Sequence, residues 1–310
     1  MSRPFRFAVQ EHRATSGEEW LDKARRVESL GYTALYLPDH FSDQLGVFSA
    51  LAAASAVTKD LRLGGLVLDN DYRHPAVTAK EVATLDLLSN GRVDFGIGAG
   101  WEKSDYDATH IPYDPPGVRI DRMVEGLEIC KGLWADGPFS FKGKHYEISA
   151  LEGMPKPVQK PRPKILLGGG GKRMLGIAGR EADIVNLNFN LAHGAVSSEL
   201  VLTGTAEQTD EKITWVRDAA GTRFDDIEMS VLIFVLNVTE DRQAVAAGLA
   251  AAIGTTPETV LAIPHFLIGT LDEIADDLER RRERYGVSYV MIQGEGAEDF
   301  APVVERLSGR

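Results

Sequence analysis

The apolar positions of this chain follow two alternating periods. Residues 5–10 and 32–37 are apolar runs of strand length, and between them Trp20, Ala24 and Val27 repeat at the spacing of a helix face. The same alternation of strand and helix continues to the end of the chain. Strands joined by helical connections favour right-handed parallel crossovers. The pattern therefore predicts an α/β fold, either a doubly wound sheet or an eight-fold barrel.

The second half of the chain decides between these folds. Seven or eight strand–helix units in 310 residues fit one (β/α)8 TIM barrel with insertions. The insertions are a small hairpin at 139–148 and a polar, irregular segment at 188–205, which we expect to act as a mobile lid. We find no linker, so residues 1–310 are predicted to form a single domain. Strands are predicted at 5–10, 32–37, 61–68, 93–97, 164–167, 183–187, 227–236, 266–268 and 288–292.

Three glycines at every second position, Gly96, Gly98 and Gly100, end the predicted strand at 93–97. Glycine weakens a strand interior, so it marks a place where a ligand or another backbone comes close. A tight strand exit under a helix is the alternative. The residues that follow favour a flat ligand at this corner. Trp101 would then be a lid over an apolar pocket or a partly buried core residue.

Composition limits the class of function. The 34 basic and 46 acidic residues give a formal net charge of −12, which argues against nucleic acid as the main partner. The single cysteine, Cys130, excludes a disulfide framework and a thiolate metal cluster. The histidines have no metal-ligand spacing, so no metal site is predicted. Without an apolar run of membrane length or a signal peptide, we expect a cytoplasmic protein that binds no membrane.

In a TIM barrel the chemistry lies at the carboxyl ends of the strands. The sequence places polar or glycine-rich groups at six such ends, and we expect them to converge. They are residues 10–12, 39–40, 69–74, 98–102, 168–173 and 186–190. The candidates for a substrate pocket are Gln10, His12, Asn70, Trp101 and Asn188.

Two of these strand ends carry candidate chemistry. His40 is the residue type whose charge changes near neutral pH, so it could act as an acid or base, with Asp39 orienting it or binding a polar ligand edge. A turn of four glycines would let a phosphate approach the free amides of a helix start, where Lys172 and Arg173 add charge. A structural histidine and a flexible turn are the alternatives. The four glycines are Gly168, Gly169, Gly170 and Gly171.

Several motifs in this order resemble the luciferase-like monooxygenase superfamily, and more closely its branch that uses the deazaflavin coenzyme F420. They span most of the chain, and their order is more specific for the superfamily than for the cofactor. The motifs are LYLPDHF at 35–41, LGGLVL at 63–68, RHP at 73–75, LDLLSNGR at 85–92, GAGW at 98–101, LW at 133–134, FKGKHY at 141–146, PKPVQ at 155–159 and GGG at 168–170.

The resemblance implies a barrel that holds a flat tricyclic cofactor across its strand ends, with the phosphate tail on the glycine turn. It also implies a bulge with a non-proline cis peptide behind the ring, which alignment places at Leu66 and Val67. Members that use the deazaflavin have a histidine at His40, as acid or base beside the hydride-accepting carbon, and an aspartate at Asp39 against the cofactor. A homodimer is implied as well. The implied cofactor-binding residues are Asp39, His40, Leu66, Val67, Gly98, Ala99, Gly100, Gly168, Gly169, Gly170, Gly171 and Lys172.

The chain departs from the sugar-phosphate dehydrogenases of this branch at two positions. Trp101 stands where they have a glutamate that is proposed as general acid, and Gln44 aligns near a tryptophan of theirs. These differences argue against a glucose-6-phosphate dehydrogenase activity. The same corner with tryptophan also occurs in members that use a flavin.

Three functions therefore stay open. The leading hypothesis is an F420-dependent oxidoreductase that transfers a hydride between the deazaflavin and a small organic substrate, while His40 gives or takes the proton. The alternative is an FMN-dependent monooxygenase that receives reduced flavin from a separate reductase. The third is a barrel that binds or stores a flavin-like molecule without catalysis.

Overall fold

A computed structural model describes residues 3–191, 194 and 197–310 of the chain. Within these residues the strands are β1 (Arg6–Gln10), β2 (Ala34–Leu37), β3 (Arg62–Gly65), β4 (Leu68–Asp69), β5 (Val93–Gly98), β6 (Pro138–Lys142), β7 (Glu147–Glu152), β8 (Lys164–Gly169), β9 (Ile184–Leu187), β10 (Glu228–Leu232), β11 (Val235–Val238), β12 (Phe266–Gly269) and β13 (Val287–Gln293). The helices are α1 (Gly17–Ser29), α2 (Val47–Val57), α3 (Pro75–Leu88), α4 (Lys103–Thr109), α5 (Pro116–Trp134), α6 (Lys172–Glu181), α7 (Ser198–Leu202), α8 (Ala206–Ala220), α9 (Arg242–Ile253), α10 (Pro257–Ala262), α11 (Leu271–Tyr285) and α12 (Ala297–Leu307).

The described strands close into a TIM barrel. The hydrogen-bonded order is β3, β2, β1, β13, β10, β9, β8 and β5, and the pairing of β3 with β5 completes the circle. The short strand β4 pairs with β5 beyond the end of β3. The predicted barrel is thus confirmed, and the doubly wound sheet is excluded because such a sheet stays open.

Packing divides the chain into two compact units, which we describe separately. The first unit consists of Met1–Glu11, Val27–Ala34 and Leu167–Arg310. The second consists of His12–Arg26 and Leu35–Leu166. The expectation of a single domain stays a prediction.

The third predicted strand is interrupted by a bulge. Leu63 of β3 lies opposite Val93 of β5. Five residues further on, Leu68 of β4 lies opposite Ile97, which is only four residues along β5. One extra residue therefore sits in the β3–β4 strand, which defines a β-bulge. The peptide bond Leu66–Val67 inside it is cis, so the bulge and the non-proline cis bond that the resemblance implied are confirmed.

Two of the strands predicted for the barrel differ in the structure. The apolar run at 227–236 splits into β10 and β11, and β11 pairs with β12 in a separate two-stranded sheet. The predicted strand at 266–268 is therefore not a barrel strand. An apolar run shows that a strand is buried but does not show which neighbour it pairs with. Here β12 is buried against α9 and α10, where Ala246, Val260 and Ile263 form a core with Phe266.

The segment at 188–205 differs from its prediction in its described part. Residues 198–202 form α7, with Ser197 as the helix cap, so the expectation of a wholly irregular segment is wrong there. Residues 192, 193, 195 and 196 lie outside the described residues, and the lid role stays a prediction.

Gly96 is required by the close approach of two strands. A Cβ atom at this position would overlap the carbonyl oxygen of Gly65 in β3. The interpretation that another backbone comes close is therefore the correct one at Gly96. The closure of the barrel between β3 and β5 depends on this contact.

We expect Gly96→Ala to lower the free energy of unfolding by about 1–3 kcal/mol, because the added methyl group must displace backbone. Urea denaturation followed by circular dichroism measures the change. The matched control is Gly248→Ala in α9, where a Cβ meets no atom within 4 Å. Alanine should stabilise that helix by about 1 kcal/mol. If the two variants are equally stable, the proposed close approach is wrong.

Candidate active site

The second unit brings together residues that follow β2, β4 and β5. Arg73 forms a two-point ion pair with the Asp39 carboxylate, at 2.5 and 2.8 Å. The amide of Asp69 donates to the same carboxylate at 3.0 Å. The ring of His40 meets the ring of Trp101 edge-on, with centroids 5.7 Å apart. The predicted convergence is therefore confirmed for these three strand ends.

His40 is held by a carboxylate that the sequence analysis missed. Its Nδ1 lies 2.7 Å from Oδ2 of Asp105. The Asp105 side chain is 8% exposed and that of His40 is 23% exposed. A carboxylate oxygen accepts, so Nδ1 carries the proton of this contact, and Nε2 is left as an acceptor when the ring is in its neutral form. This arrangement gives His40 one fixed orientation and one nitrogen for chemistry.

Asp105 also binds two further donors. The amide of Phe41 donates to its Oδ1 and the hydroxyl of Tyr72 donates to its Oδ2, both at 3.2 Å. Asp105 lies in the first turn of α4, which Glu102 caps through the amide of Ser104. The helix was not predicted because its seven mostly polar residues show no apolar stripe. The only sequence signal was acidic side chains at a helix start, where they are favoured.

Asp39 does not have the orienting role that the sequence suggested. Both of its oxygens accept from Arg73, and one also accepts the Asp69 amide. Its side chain therefore fixes the start of the loop after β4, while Asp105 orients His40. Contact of Asp39 with a cofactor stays a prediction.

A buried carboxyl group, Asp69, lies behind the Gly100 corner. Burial raises the pKa of Asp69 to about 7, the amide of Asp71 opposes the shift by donating a hydrogen bond, and the Asp71 and Asp39 charges add to it. The Tyr106 hydroxyl lies 2.9 Å from Asp69 Oδ2 and 3.1 Å from Asp71 Oδ2. One hydroxyl proton cannot serve both carboxylates. A proton on Asp69 that is donated to Tyr106 satisfies all three groups.

Protein atoms occupy the space beside the other glycines of the corner. A Cβ on Gly98 would lie 2.7 Å from Cγ2 of Val67. A Cβ on Gly100, whose φ is +72°, would overlap the Tyr106 hydroxyl and the Asp69 carboxylate. Protein packing is therefore a sufficient reason for glycine at both positions, and contact of this corner with a flat ligand stays a prediction. Both glycines are required by the packing of the bulge and of Tyr106.

The three residues of this unit that were predicted to line a substrate pocket differ in their contacts. Trp101 is half-buried, and its carbonyl accepts the Tyr113 hydroxyl at 3.0 Å. Asn70 is buried and donates to the hydroxyl of Tyr146 at 3.1 Å, so one of its donors is already used. The His12 carbonyl accepts the amide of Leu45 at 2.8 Å. Trp101 is the candidate that directly adjoins His40.

In the first unit the glycine turn adjoins Asn188. The amide of Asn188 donates to the carbonyl of Gly169 at 2.9 Å. A Cβ on Gly170 would overlap the backbone of Phe189, whereas Gly168 and Gly171 have room for one. Gln10 of this unit is buried, with 7% of its surface exposed. The structure thus brings the turn and Asn188 together.

Several groups fit a bound polar molecule. Gly171 precedes α6 without a side-chain cap, so the first amides of the helix are donors for an anion, and Lys172 is exposed beside them. In the second unit, Oε1 of Gln44 is buried, and no described group donates to it. His40 Nε2 adds a further acceptor. The first unit thus offers donors for an anion, and the second unit offers acceptors for a polar edge.

The described residues limit two other kinds of site. None of their helices has both the length and the apolar character needed to cross a membrane. Among them we also find no group of three or more histidine, cysteine, aspartate or glutamate side chains that could hold a metal ion.

A family model described as luciferase-like monooxygenase matches residues 1–286. The chain belongs to this family. Both the predicted superfamily and its fold are thus confirmed, and the relatives with stated activities are oxidoreductases.

Some of the similar proteins depend on FMNH2 and others depend on F420. An FMNH2-dependent dimethylsulfone monooxygenase of Pseudomonas putida is 28% identical over 236 residues, which are 76% of this chain and 60% of that protein. An F420-dependent glucose-6-phosphate dehydrogenase of Amycolatopsis mediterranei is 29% identical over 171 residues, 53% of this chain and 51% of that protein. The chain thus spans about half to three-fifths of these relatives.

Among solved structures, the coenzyme F420-dependent tetrahydromethanopterin reductase of Methanopyrus kandleri superposes with a TM-score of 0.77 at 18% identity. The match covers 98% of this chain and 97% of that one. At this identity the likeness shows the fold alone. Relatives in this family use F420 or FMNH2.

The raised pKa of Asp69 makes stability depend on pH. The ordinary pKa is 3.8 and the folded value is about 7, so between these values the folded state keeps a proton that the unfolded state releases. Stability should fall as pH rises through this window, by up to about 1.4 kcal/mol per pH unit from this group. Urea denaturation at pH 5 and pH 8 measures the loss. In Asp69→Asn the contribution should vanish, and an equal slope in both proteins would contradict the assignment.

Proposed function

We propose that this protein is an F420-dependent oxidoreductase that transfers a hydride between the deazaflavin coenzyme and a small organic substrate. The observation that carries the proposal is the contact of His40 Nδ1 with Asp105 at 2.7 Å, which leaves Nε2 for a proton at the carboxyl end of β2. A hydride transfer to or from a carbonyl or alcohol needs a group that gives or takes a proton. The oriented histidine supplies that group.

The bound deazaflavin would supply the hydride chemistry. The chain would supply proton exchange at His40 Nε2 and a fixed position for the substrate. Trp101, edge-on to His40, would limit access of water to the histidine, and Asn70 and His12 are proposed to line the substrate pocket. The backbone at Leu66 and Val67 would support the ring. Homodimer formation and a cytoplasmic location stay predictions.

An FMN-dependent monooxygenase is the second candidate. It is favoured by the match to the dimethylsulfone monooxygenase, which covers more of this chain than the match to the F420-dependent dehydrogenase. The proposed residues would bind FMN in the same way, and a separate flavin reductase would be the partner. The tryptophan at position 101 also agrees with a flavin, because the same corner with tryptophan occurs in members that use one.

Cofactor binding distinguishes the two candidates. Titration of the purified protein with F420 and, separately, with FMN, followed by fluorescence, should give a dissociation constant in the micromolar range for F420 and at least about tenfold weaker binding of FMN. The reverse order, together with oxygen uptake that requires reduced FMN, would replace the first proposal by the second. Failure of both ligands to bind would overturn both.

The role of His40 and Asp105 is tested by turnover. With F420 and a substrate found by screening alcohols and ketones, His40→Ala and Asp105→Asn should each lower kcat about 10²-fold or more, because the proton donor is lost or turned. The dissociation constant of F420 should change less than about threefold. Stopped-flow absorbance of the deazaflavin measures the step.

Asp107→Asn is the matched control, because Asp107 is an exposed aspartate of the same helix that binds Lys103. It should leave kcat unchanged. If His40→Ala turns over its substrates at the wild-type rate with either cofactor, His40 is not the group that gives or takes the proton. If the wild type and His40→Ala both bind a cofactor and neither turns over any substrate, the storage hypothesis gains support.

A further inference from the structure

A buried lysine of the first unit has no role in the proton chemistry above. Lys212 lies in α8 with 2% of its surface exposed. Its Nζ donates to the carbonyl of Asn188 at 2.7 Å and to that of Thr203 at 2.6 Å. Burial lowers the pKa of Lys212 to about 8, so the ammonium form still predominates at neutral pH. Burying such a group costs free energy unless its donors are satisfied.

The two carbonyls belong to both ends of one segment. Asn188 directly follows β9, and Thr203 directly follows α7. The hydroxyl of Thr203 in turn accepts the amide of Asn190 at 2.9 Å. Lys212 therefore fixes the backbone where the chain leaves β9 and where it returns toward α8.

Asn188 links Lys212 to the glycine turn at 168–171. Its amide donates to the carbonyl of Gly169 at 2.9 Å, while its own carbonyl accepts from Lys212. The next residue, Phe189, places its backbone against Gly170 so closely that only glycine fits. The position of the turn thus depends on Asn188 and Phe189, and the position of Asn188 depends on Lys212.

Among the described residues, no acidic side chain forms an ion pair with Lys212. In the part of the chain that the structure describes, its polar contacts are the two carbonyls. Its neighbour His265 is neutral, because burial lowers the pKa of that imidazole to about 3. A buried positive charge without a counter-ion favours an anion nearby, since screening by water is weak in the interior.

We propose that Lys212 is a positioning residue for phosphate recognition, which fixes Asn188 and thereby sets the glycine turn at 168–171 so that its amides face the phosphate of the cofactor. The proposal rests on the proposed function, because it requires a phosphate-bearing flavin or deazaflavin. It predicts that Lys212 strengthens binding of the phosphate of the cofactor and does not affect binding of the ring.

Ligand pairs that differ only in the phosphate-bearing part of the tail test this division. The pairs are riboflavin with FMN, and the deazariboflavin chromophore of F420 with F420 itself. Dissociation constants are measured by fluorescence titration for the wild type and for Lys212→Met, which keeps an unbranched apolar side chain one atom shorter and removes the charge and the donors. The preference for the phosphorylated ligand of each pair should fall about tenfold or more in the variant. Binding of the unphosphorylated ligands should change less than about threefold.

Lys156→Met is the matched control. Lys156 also donates to two backbone carbonyls, those of Leu133 and Ala135, but it belongs to the second unit. The control should leave the phosphate preference unchanged. Thermal unfolding of each variant shows whether it is folded. If Lys212→Met does not fold, the same titrations are made with Lys212→Gln, which keeps a neutral donor.

Any other result of these titrations overturns the proposal. An equal loss for phosphorylated and unphosphorylated ligands would make Lys212 a general support of the fold. No loss for either would remove it from cofactor binding. If the wild type itself does not prefer the phosphorylated ligand, the premise of a phosphate at the turn is wrong although the ring still binds. If the wild type binds none of the four ligands, the proposed function itself fails.

Discussion

One buried carboxylate holds the candidate active site together. Asp105 accepts from the ring of His40, from the amide of Phe41 and from the hydroxyl of Tyr72. These donors come from the loop after β2 and from the loop after β4, so a single side chain of α4 holds both loops to that helix. Removing it would leave buried donors without an acceptor, which costs more than the net value of the bonds themselves.

Around this site an arginine or a proton offsets the negative charge of Asp39, Asp71 and Asp69. Asp39 faces Arg73, and Asp71 faces Arg122 at 2.7 Å. Asp105 binds His40, and burial keeps a proton on Asp69 up to a pH of about 7. Since F420 and FMN are both anionic, an unpaired set of carboxylates would repel them. The arginines and the proton of Asp69 make this corner compatible with either cofactor.

Sequence reasoning located the strand ends but not the partners of their side chains. Asp39 and His40 follow a short apolar run, so their place at the end of β2 could be predicted from local pattern. The link between His40 and Asp105 spans 65 residues and depends on a seven-residue helix without an apolar face. The glycines at 96, 98 and 100 were visible, but whether a ligand or the protein fills the space beside them depends on the neighbouring strand. Resemblance, not pattern, predicted the bulge at Leu66.

The tautomer of His40 is the most direct test of this account. Nitrogen-15 NMR of protein labelled at histidine, with His40 assigned from the spectrum of His40→Gln, reports which ring nitrogen carries the proton. The contact with Asp105 predicts that the ring, in its neutral form, is protonated at Nδ1 and bare at Nε2, and this preference should be lost in Asp105→Asn. A neutral ring protonated at Nε2 with a bare Nδ1, unchanged in the variant, would contradict the central claim.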